Sequence, residues 1–142
     1  MRIDPARPAD LPAIRSLLER ERLPAGDLEE SALEWFLVAR SEEGVVAAVG
    51  LELFGGVALL RSLVVDPRLR GRGLGVQMTE AAEALAHGAG VESIYLLTTT
   101  ADAFFRGRGY RIIARSETPA AIRSTTQFSA LCPSTANLMV KP

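Results

Sequence analysis

The 142-residue chain has little of several residue types that commonly carry chemistry: one cysteine, one histidine, one lysine and one tryptophan. A lone Cys132 excludes an internal disulfide framework and a Cys-based zinc site. A lone His87 sets aside a His-ligated metal centre. No window approaches the roughly 18 consecutive apolar residues of a membrane helix, and the opening MRIDPARPAD has no apolar core of the signal-peptide kind. A surplus of charge is also missing. Sixteen basic side chains face seventeen acidic ones, for a net charge of −1, whereas a protein that coats nucleic acid usually carries a basic surplus. The expectation is a cytoplasmic protein without metal, membrane or nucleic-acid partners. With 48% apolar and 23% charged residues, it reads as a single globular domain over residues 1–142.

The pattern along the chain is mixed. Residues 8–22 read as a helix with Asp10 as N-cap, Pro12 in the first turn, and Leu11, Ile14, Leu17 and Leu18 on one face. Asp27 is a candidate cap for a second short helix ending near Ala32. Residues 35–39, Val45–Leu53 and Val57–Val65 read as three strands joined by tight turns, an antiparallel meander. A helix over Gly73–Ala89 comes next, then a strand over Ser93–Thr99, a short helix over Ala101–Gly107 and strands over Tyr110–Arg115 and Ala136–Val140. Residues 116–133 read as a long polar loop, and ordered loops of that length often serve function. The strand-helix-strand unit requires a crossover and a parallel neighbour. The fold class expected is α+β: a mixed, mostly antiparallel sheet of six to seven strands flanked by helices.

The most informative stretch runs Val64-Val65-Asp66-Pro67-Arg68-Leu69-Arg70-Gly71-Arg72-Gly73-Leu74-Gly75. A strand ends, a proline blocks its continuation, and three glycines at alternate positions lead into a helix. Glycines let a ligand approach main-chain amides closely, and the first turn of a helix offers unpaired N–H groups and a positive dipole end. With Arg61, Arg68, Arg70 and Arg72 set against Asp66 alone, the physics points to an anion site, a pyrophosphate above all. A solvated basic turn would show the same composition. A Walker A loop needs Gly-Lys-Ser/Thr and is absent. A dinucleotide fingerprint would come after the first strand of a βαβ unit, with an acid on the second, whereas here the next strand ends in threonines.

Arg70-x-x-Gly73-x-Gly75 after Val64-Val65-Asp66-Pro67 resembles the acetyl-CoA pyrophosphate loop of the GNAT superfamily of N-acetyltransferases. Residues 96–110, LLTTTADAFFRGRGY, are similar to its second signature, a strand feeding a helix with two aromatics and then Gly-aromatic. Leu97-Thr98-Thr99-Thr100-Ala101 with Phe104-Phe105 resembles the amino-acid acetyltransferase branch, which includes N-acetylglutamate synthases. Residues 122–128 with 131–134 resemble small acetyltransferases of arsenic-resistance operons.

The resemblance implies the acyl-CoA N-acyltransferase fold, acetyl-CoA as co-substrate without metal, and a small amine as acceptor; a homodimer stays open. It implies that the amides of Arg70, Gly71, Arg72, Gly73, Leu74 and Gly75 hold the pyrophosphate. The main chain of Leu63, Val64 and Val65 would pair with the pantetheine arm, with an amide near Val64 as oxyanion donor. It places Thr98, Phe104 and Phe105 beside the arm and Arg108 within reach of a phosphate, although the phenylalanines read equally as core and Arg108 as a dipole complement. Many family members have a tyrosine where this chain has Phe105, a departure that removes a proton donor. Tyr110 reads as a core residue.

Glu52, on an otherwise apolar strand, is the candidate general base or an outward-facing carboxylate. Arg61, interrupting a run of apolar residues, needs a partner: an ion pair with Glu52 or a substrate carboxylate. Arg123, Thr125 and Gln127 are candidates for the acceptor wall or members of a solvated loop. Cys132 reads as a buried small residue and His87 as a surface one. The functional expectation is direct transfer of an acetyl group to an anionic, amino-acid-like amine in a ternary complex. A catalytically weak acetyl-CoA sensor is the alternative.

Overall fold

Val57–Val65 is the strand around which the chain is arranged. The computed structural model describes residues 2–131 and 135–142. In order these form β1 (Arg2–Pro5), α1 (Leu11–Arg20), β2 (Phe36–Ser41), β3 (Gly44–Phe54), β4 (Val57–Val65), α2 (Leu74–Gly88), β5 (Ser93–Thr98), α3 (Asp102–Arg106), β6 (Arg111–Ile113), α4 (Ala120–Arg123) and β7 (Asn137–Lys141). The strands make one sheet in the order β1-β2-β3-β4-β5-β7-β6. All neighbours are antiparallel except β4 and β5, which the α2 crossover makes parallel. This is the mixed, mostly antiparallel α+β sheet expected, with seven strands.

Both faces of the central strands are covered, which is why β3 reads as a continuous apolar run rather than an alternating one. On one face α2 packs Leu74, Met78, Ala82 and Ala86 against Leu37, Val49, Leu51 and Leu60, with Phe105 and Tyr110 at the margin. On the other, Ile14, Leu17 and Leu18 of α1 pack on Phe36, Val38, Ala48 and Val64. Tyr110 is buried, and its hydroxyl donates to Glu83 Oε2 at 2.8 Å, while Lys141 Nζ lies 3.1 Å from the same oxygen. Burial, with the Glu83 carboxylate beside it, raises the Tyr110 pKa far above its ordinary value. This tyrosine ties α2 to the β6–β7 edge.

Several local expectations are corrected. β1 was not foreseen, because four residues with one inward apolar side chain give almost no periodic signal at a sheet edge. Asp10 stands at the N-terminus of α1, but its carboxylate accepts from the Arg7 amide at 2.7 Å and binds both Arg40 terminal nitrogens at 2.7 and 2.6 Å. It pins the turn Pro8–Asp10 to β2 rather than capping α1. Asp27 caps no helix: the helical turn forms later, over Glu30–Trp35, and the carboxylate is drawn to Arg61 instead. The presumed loop at 116–133 contains helical turns at Arg115–Glu117, α4 and Gln127–Leu131. Cys132 lies outside the described residues, and His87 is exposed near the end of α2.

Gly50 has a steric reason to be glycine. It pairs with Phe36 across β2 and β3, and a Cβ there would meet the Phe36 ring at 2.2 Å. Gly50→Ala should therefore destabilise the fold by about 1–3 kcal/mol through overpacking, read as a lower midpoint in urea. Restoration of that midpoint in Gly50→Ala/Phe36→Leu is expected, and an unaffected single variant would contradict the contact.

At the end of β4, Asp66 accepts from the Arg68 amide at 3.0 Å and from its guanidinium at 2.8 Å. These side-chain and backbone hydrogen bonds hold the Asp66 pKa down to about 2 from 3.8. A carboxyl lowered on folding favours the folded state above its unfolded pKa and loses that contribution as pH falls toward the folded value. Stability curves of the protein and Asp66→Asn should thus separate above pH 4 and converge toward pH 2. Parallel curves throughout would refute this.

Candidate functional site

The parallel pair β4 and β5 is joined over only three positions, Val57–Leu59 against Ser93–Tyr95. Beyond them the strands diverge and leave a cleft of about 750 Å³ between the far halves of both strands, the start of α2, Phe104, Phe105 and the end of α1. An open cleft in the middle of a sheet exposes main-chain groups that would otherwise be paired, and an extended ligand can take the place of the missing strand.

One end of the cleft is built by the glycine loop. Gly71 and Gly73 have φ of +80° and +78°, so an L side chain at either would be strained. The chain can therefore turn from β4 directly into α2. The first helical bond runs from Gln77 N to Gly73 O at 3.1 Å, leaving the amides ahead of it, up to Val76, without helical acceptors and at the positive end of a 15-residue helix. Gly75 lies under Phe104, whose ring would be 3.5 Å from an added Cβ. The arginines play a different part from that of a free basic rim. Arg68 pairs with Asp66 and Glu43, and Arg70 with Glu21 at the end of α1. The donors left without a partner at the loop are thus mainly amides, with Arg72 exposed and, among the described residues, without a carboxylate partner.

The long wall is the free edge of β4, and here one assignment changes. Asp66 N donates to Val46 O at 2.8 Å, and Ala48 stands opposite Val64 in the same register. Amides of alternate residues point to the same side of a strand, so the Val64 amide faces β3 and belongs to the ladder. The expectation that Val64 presents its N–H to the cleft is therefore corrected: the amides of Leu63 and Val65 face the open edge. Just upstream the β3–β4 register shifts, with Ser62 and Leu63 opposite the single residue Val49, and Ser62 adopts φ +60°. This β-bulge sets the direction of the wall.

Arg61, next to the bulge, is buried to 3% side-chain exposure. Its Nη1 and Nη2 bind both Asp27 oxygens at 2.5 and 2.6 Å, Nη1 also lies 3.2 Å from Glu52 Oε2, and Nε donates to Ser62 Oγ at 3.0 Å. The guanidinium stands 5.9 Å over the Phe36 ring. Of the two alternatives for Arg61, the ion pair with Glu52 is present, and Asp27 adds a bidentate partner that the sequence did not point to. Burial alone would raise the Asp27 pKa, but the hydrogen bonds and charge of Arg61, with a further contribution from Gln127, hold it below its ordinary value.

The other expected site residues divide into two groups. Thr98, Phe104, Phe105 and Gln127 line the cleft. Thr98 Oγ1 also accepts the Ala101 amide at 2.9 Å and so shapes the entry to α3, and the two phenylalanine rings meet edge-on, 5.1 Å apart, with Phe105 buried. Glu52, Arg108, Arg123 and Thr125 are not in the cleft wall. Glu52 turns toward Arg61. Arg123 donates to Thr118 O at 3.0 Å, and the Thr125 hydroxyl donates to Ile122 O at 2.7 Å. Arg123 and Thr125 thus bond within their own turns. Sequence reasoning missed Glu21 and Asp27, whose partners lie 49 and 34 residues away; an acid in a short Gly/Pro-containing segment carries no local sign of such pairing.

A family model for the acetyltransferase (GNAT) domain matches residues 32–112. The amino-acid acetyltransferase of Pseudomonas aeruginosa strain PAO1 is 29% identical over 116 residues, which is 80% of this chain but 24% of that protein. The chain thus spans about a quarter of the curated relatives it matches. Among solved structures, N-acetylglutamate synthase from Neisseria gonorrhoeae, complexed with coenzyme A and N-acetyl-glutamate, superposes with a TM-score of 0.85 at 20% identity, over 99% of this chain and 34% of that one. Rv2747 from Mycobacterium tuberculosis, in complex with CoA, does so with a TM-score of 0.81 at 22% identity, over 99% and 98% of the two chains. The chain thus shares its fold with these structures, and it belongs to the GNAT acetyltransferase family.

Proposed function

We propose that the protein is an acetyl-CoA-dependent N-acetyltransferase acting on a small amino-acid-like amine. The observation that carries this reading is the cleft itself. It joins a phosphate-binding helix N-terminus to a free strand edge of the right polarity for an amide-containing arm. The pyrophosphate would rest on the amides from Gly71 to Val76, and the arm would extend along Leu63–Val65 past Thr98 and Phe104. The amino-acid acetyltransferase and N-acetylglutamate synthase relatives support an amino acid as acceptor.

Bound acetyl-CoA supplies an activated acetyl thioester. The Leu63 amide, facing the open edge beside the bulge, is the proposed donor to the thioester oxygen as negative charge develops on it. Glu52, set behind the cleft wall, is the proposed base that takes the proton from the acceptor's ammonium through one water. Its carboxylate stands on the same side of the sheet as Arg61 and meets that guanidinium through Oε2 at 3.2 Å. Phe105 offers no proton to the leaving sulfur, but a thiol with a pKa near 8.5 leaves as thiolate without a strong acid. Arg61, engaged by two carboxylates and Ser62, holds this end of the cleft together. An anionic group on the acceptor has a second cation available in Arg22, which lines the cleft as Arg61 does and, among the described residues, has no carboxylate partner.

Two measurements test the reading. Acetyl-CoA should raise the melting temperature, and a panel of L-amino acids and amine-bearing phosphinates should include an acceptor that releases free CoA thiol. Stabilisation without thiol release from any amine would favour the acetyl-CoA sensor that Phe105 at the tyrosine position suggests, and no stabilisation would exclude both. With the acceptor in hand, Glu52→Gln should lower kcat by roughly 10²-fold and flatten the acid limb of the pH–rate profile. An unchanged profile would remove Glu52 as base.

A further inference from the structure

Arg61 lines the cleft and is bonded to three side chains around it. Arg61 is nearly sealed from solvent, yet it spends its donors on three side chains from three places in the fold: Asp27 after α1, Glu52 on β3 and Ser62 on β4 itself. A buried arginine needs partners, and one carboxylate at bidentate geometry would suffice for its charge. The bond to Ser62 is the informative one, because Ser62 is one of only two described non-glycine residues with positive φ. Residues other than glycine hold that conformation at a cost of roughly 1–2 kcal/mol, and they keep it where surrounding contacts fix it. Here Arg61 and Val64 are paired with β3 on either side of the bulge, and Ser62 Oγ accepts from Arg61 Nε at 3.0 Å.

This strained residue matters because of its neighbour in the chain. Ser62 and Leu63 are the two residues that oppose Val49 in the bulge. The Ser62 conformation thus sets the orientation of the next peptide unit, the one that carries the Leu63 N–H toward the cleft. A rotation about Ser62 would move that N–H while leaving the helix amides at Gly73–Val76 in place. Asp27 sits at the far end of the same chain of bonds, with its carboxylate also supported by Gln127 from the 127–131 turn.

We infer that Asp27 and Ser62 are positioning residues: the chain Asp27–Arg61–Ser62 clamps the β4 bulge and thereby aims the Leu63 amide at the reacting carbonyl. Both act through the Leu63 peptide. Their effect is on the direction of one main-chain donor, and donors of this kind act through preorganisation. The importance of that donor for turnover rests on the proposed acetyl transfer, whereas its aim is a property of the protein without ligand.

The test uses the full chain and the variants Asp27→Asn, Ser62→Ala, Ser62→Gly and the double variant Asp27→Asn/Ser62→Ala. In ¹H–¹⁵N spectra of the unliganded protein, each is expected to shift the Leu63 amide while leaving the amides of Gly73, Leu74, Gly75 and Val76 unmoved. In kinetics with acetyl-CoA and the acceptor found by thiol release, kcat should fall roughly tenfold, less than for outright loss of an oxyanion donor. The KM for acetyl-CoA should stay within about twofold, and the double variant should be no worse than the more impaired single one, as members of one chain are non-additive. Ser62→Gly keeps the positive φ accessible but removes Oγ, so full activity and an unmoved Leu63 amide in that variant would overturn the clamp. Additive losses, or equal shifts at Gly73–Val76, would overturn it as well. If the unsubstituted protein fails to bind acetyl-CoA, the proposed function falls, and the spectra of the unliganded variants still decide the clamp.

Discussion

The structure depends on the parting of β4 from β5 after three paired positions. The other neighbouring strands of the sheet stay joined along their shared length, so this gap leaves main-chain donors and acceptors inside the protein that only water or a ligand can satisfy. The remaining features of the site arrange themselves around it. The glycine loop lets the chain leave β4 and enter α2 at the mouth of the gap, the bulge at Ser62–Leu63 turns its wall, and Phe104 and Phe105 close its floor. The two helical layers keep the flanking strands rigid, through α2 on one face and α1 on the other.

Ion pairs take up the charge that the sequence displays. Arg68 and Arg70 look like free cations in the chain, yet each is held by acids, and Arg61 by two. What remains for an anion is a set of amides at a helix terminus, a site of fixed geometry that needs no flexible side chain to be ordered on binding. Glu21 and Asp27, at the two ends of the segment after α1, attach that segment to the glycine loop and to the bulge respectively.

Much of this was legible in the chain. The meander, the crossover helix and the loop at 66–75 have strong local signals, namely apolar runs of strand length, tight turns and glycines before an apolar helix, and the structure places their boundaries within two residues of those expected. The GNAT resemblance was carried by the same stretch. The features that the sequence concealed were of two kinds. Partners distant in the chain, such as Asp27 for Arg61 and Asp10 for Arg40, leave no periodic trace. The parity of the β4 amides depends on the β3 register, which moved the cleft-facing donor from Val64 to Leu63. Arg123 and Thr125 looked free because a polar segment reads as solvated, although their own turns absorb their hydrogen bonds.

The proposed mechanism derives from one arrangement, in which acetyl-CoA would lie in the gap between β4 and β5 as a surrogate strand with its thioester oxygen on the Leu63 amide. A crystal structure of the complex with acetyl-CoA tests it most directly. Pyrophosphate oxygens are expected within hydrogen-bond distance of the Gly73–Val76 amides and the thioester oxygen roughly 2.9 Å from Leu63 N, with Val64 N still bonded to β3. A thioester oxygen bonded elsewhere, or acetyl-CoA bound outside the gap, would contradict it.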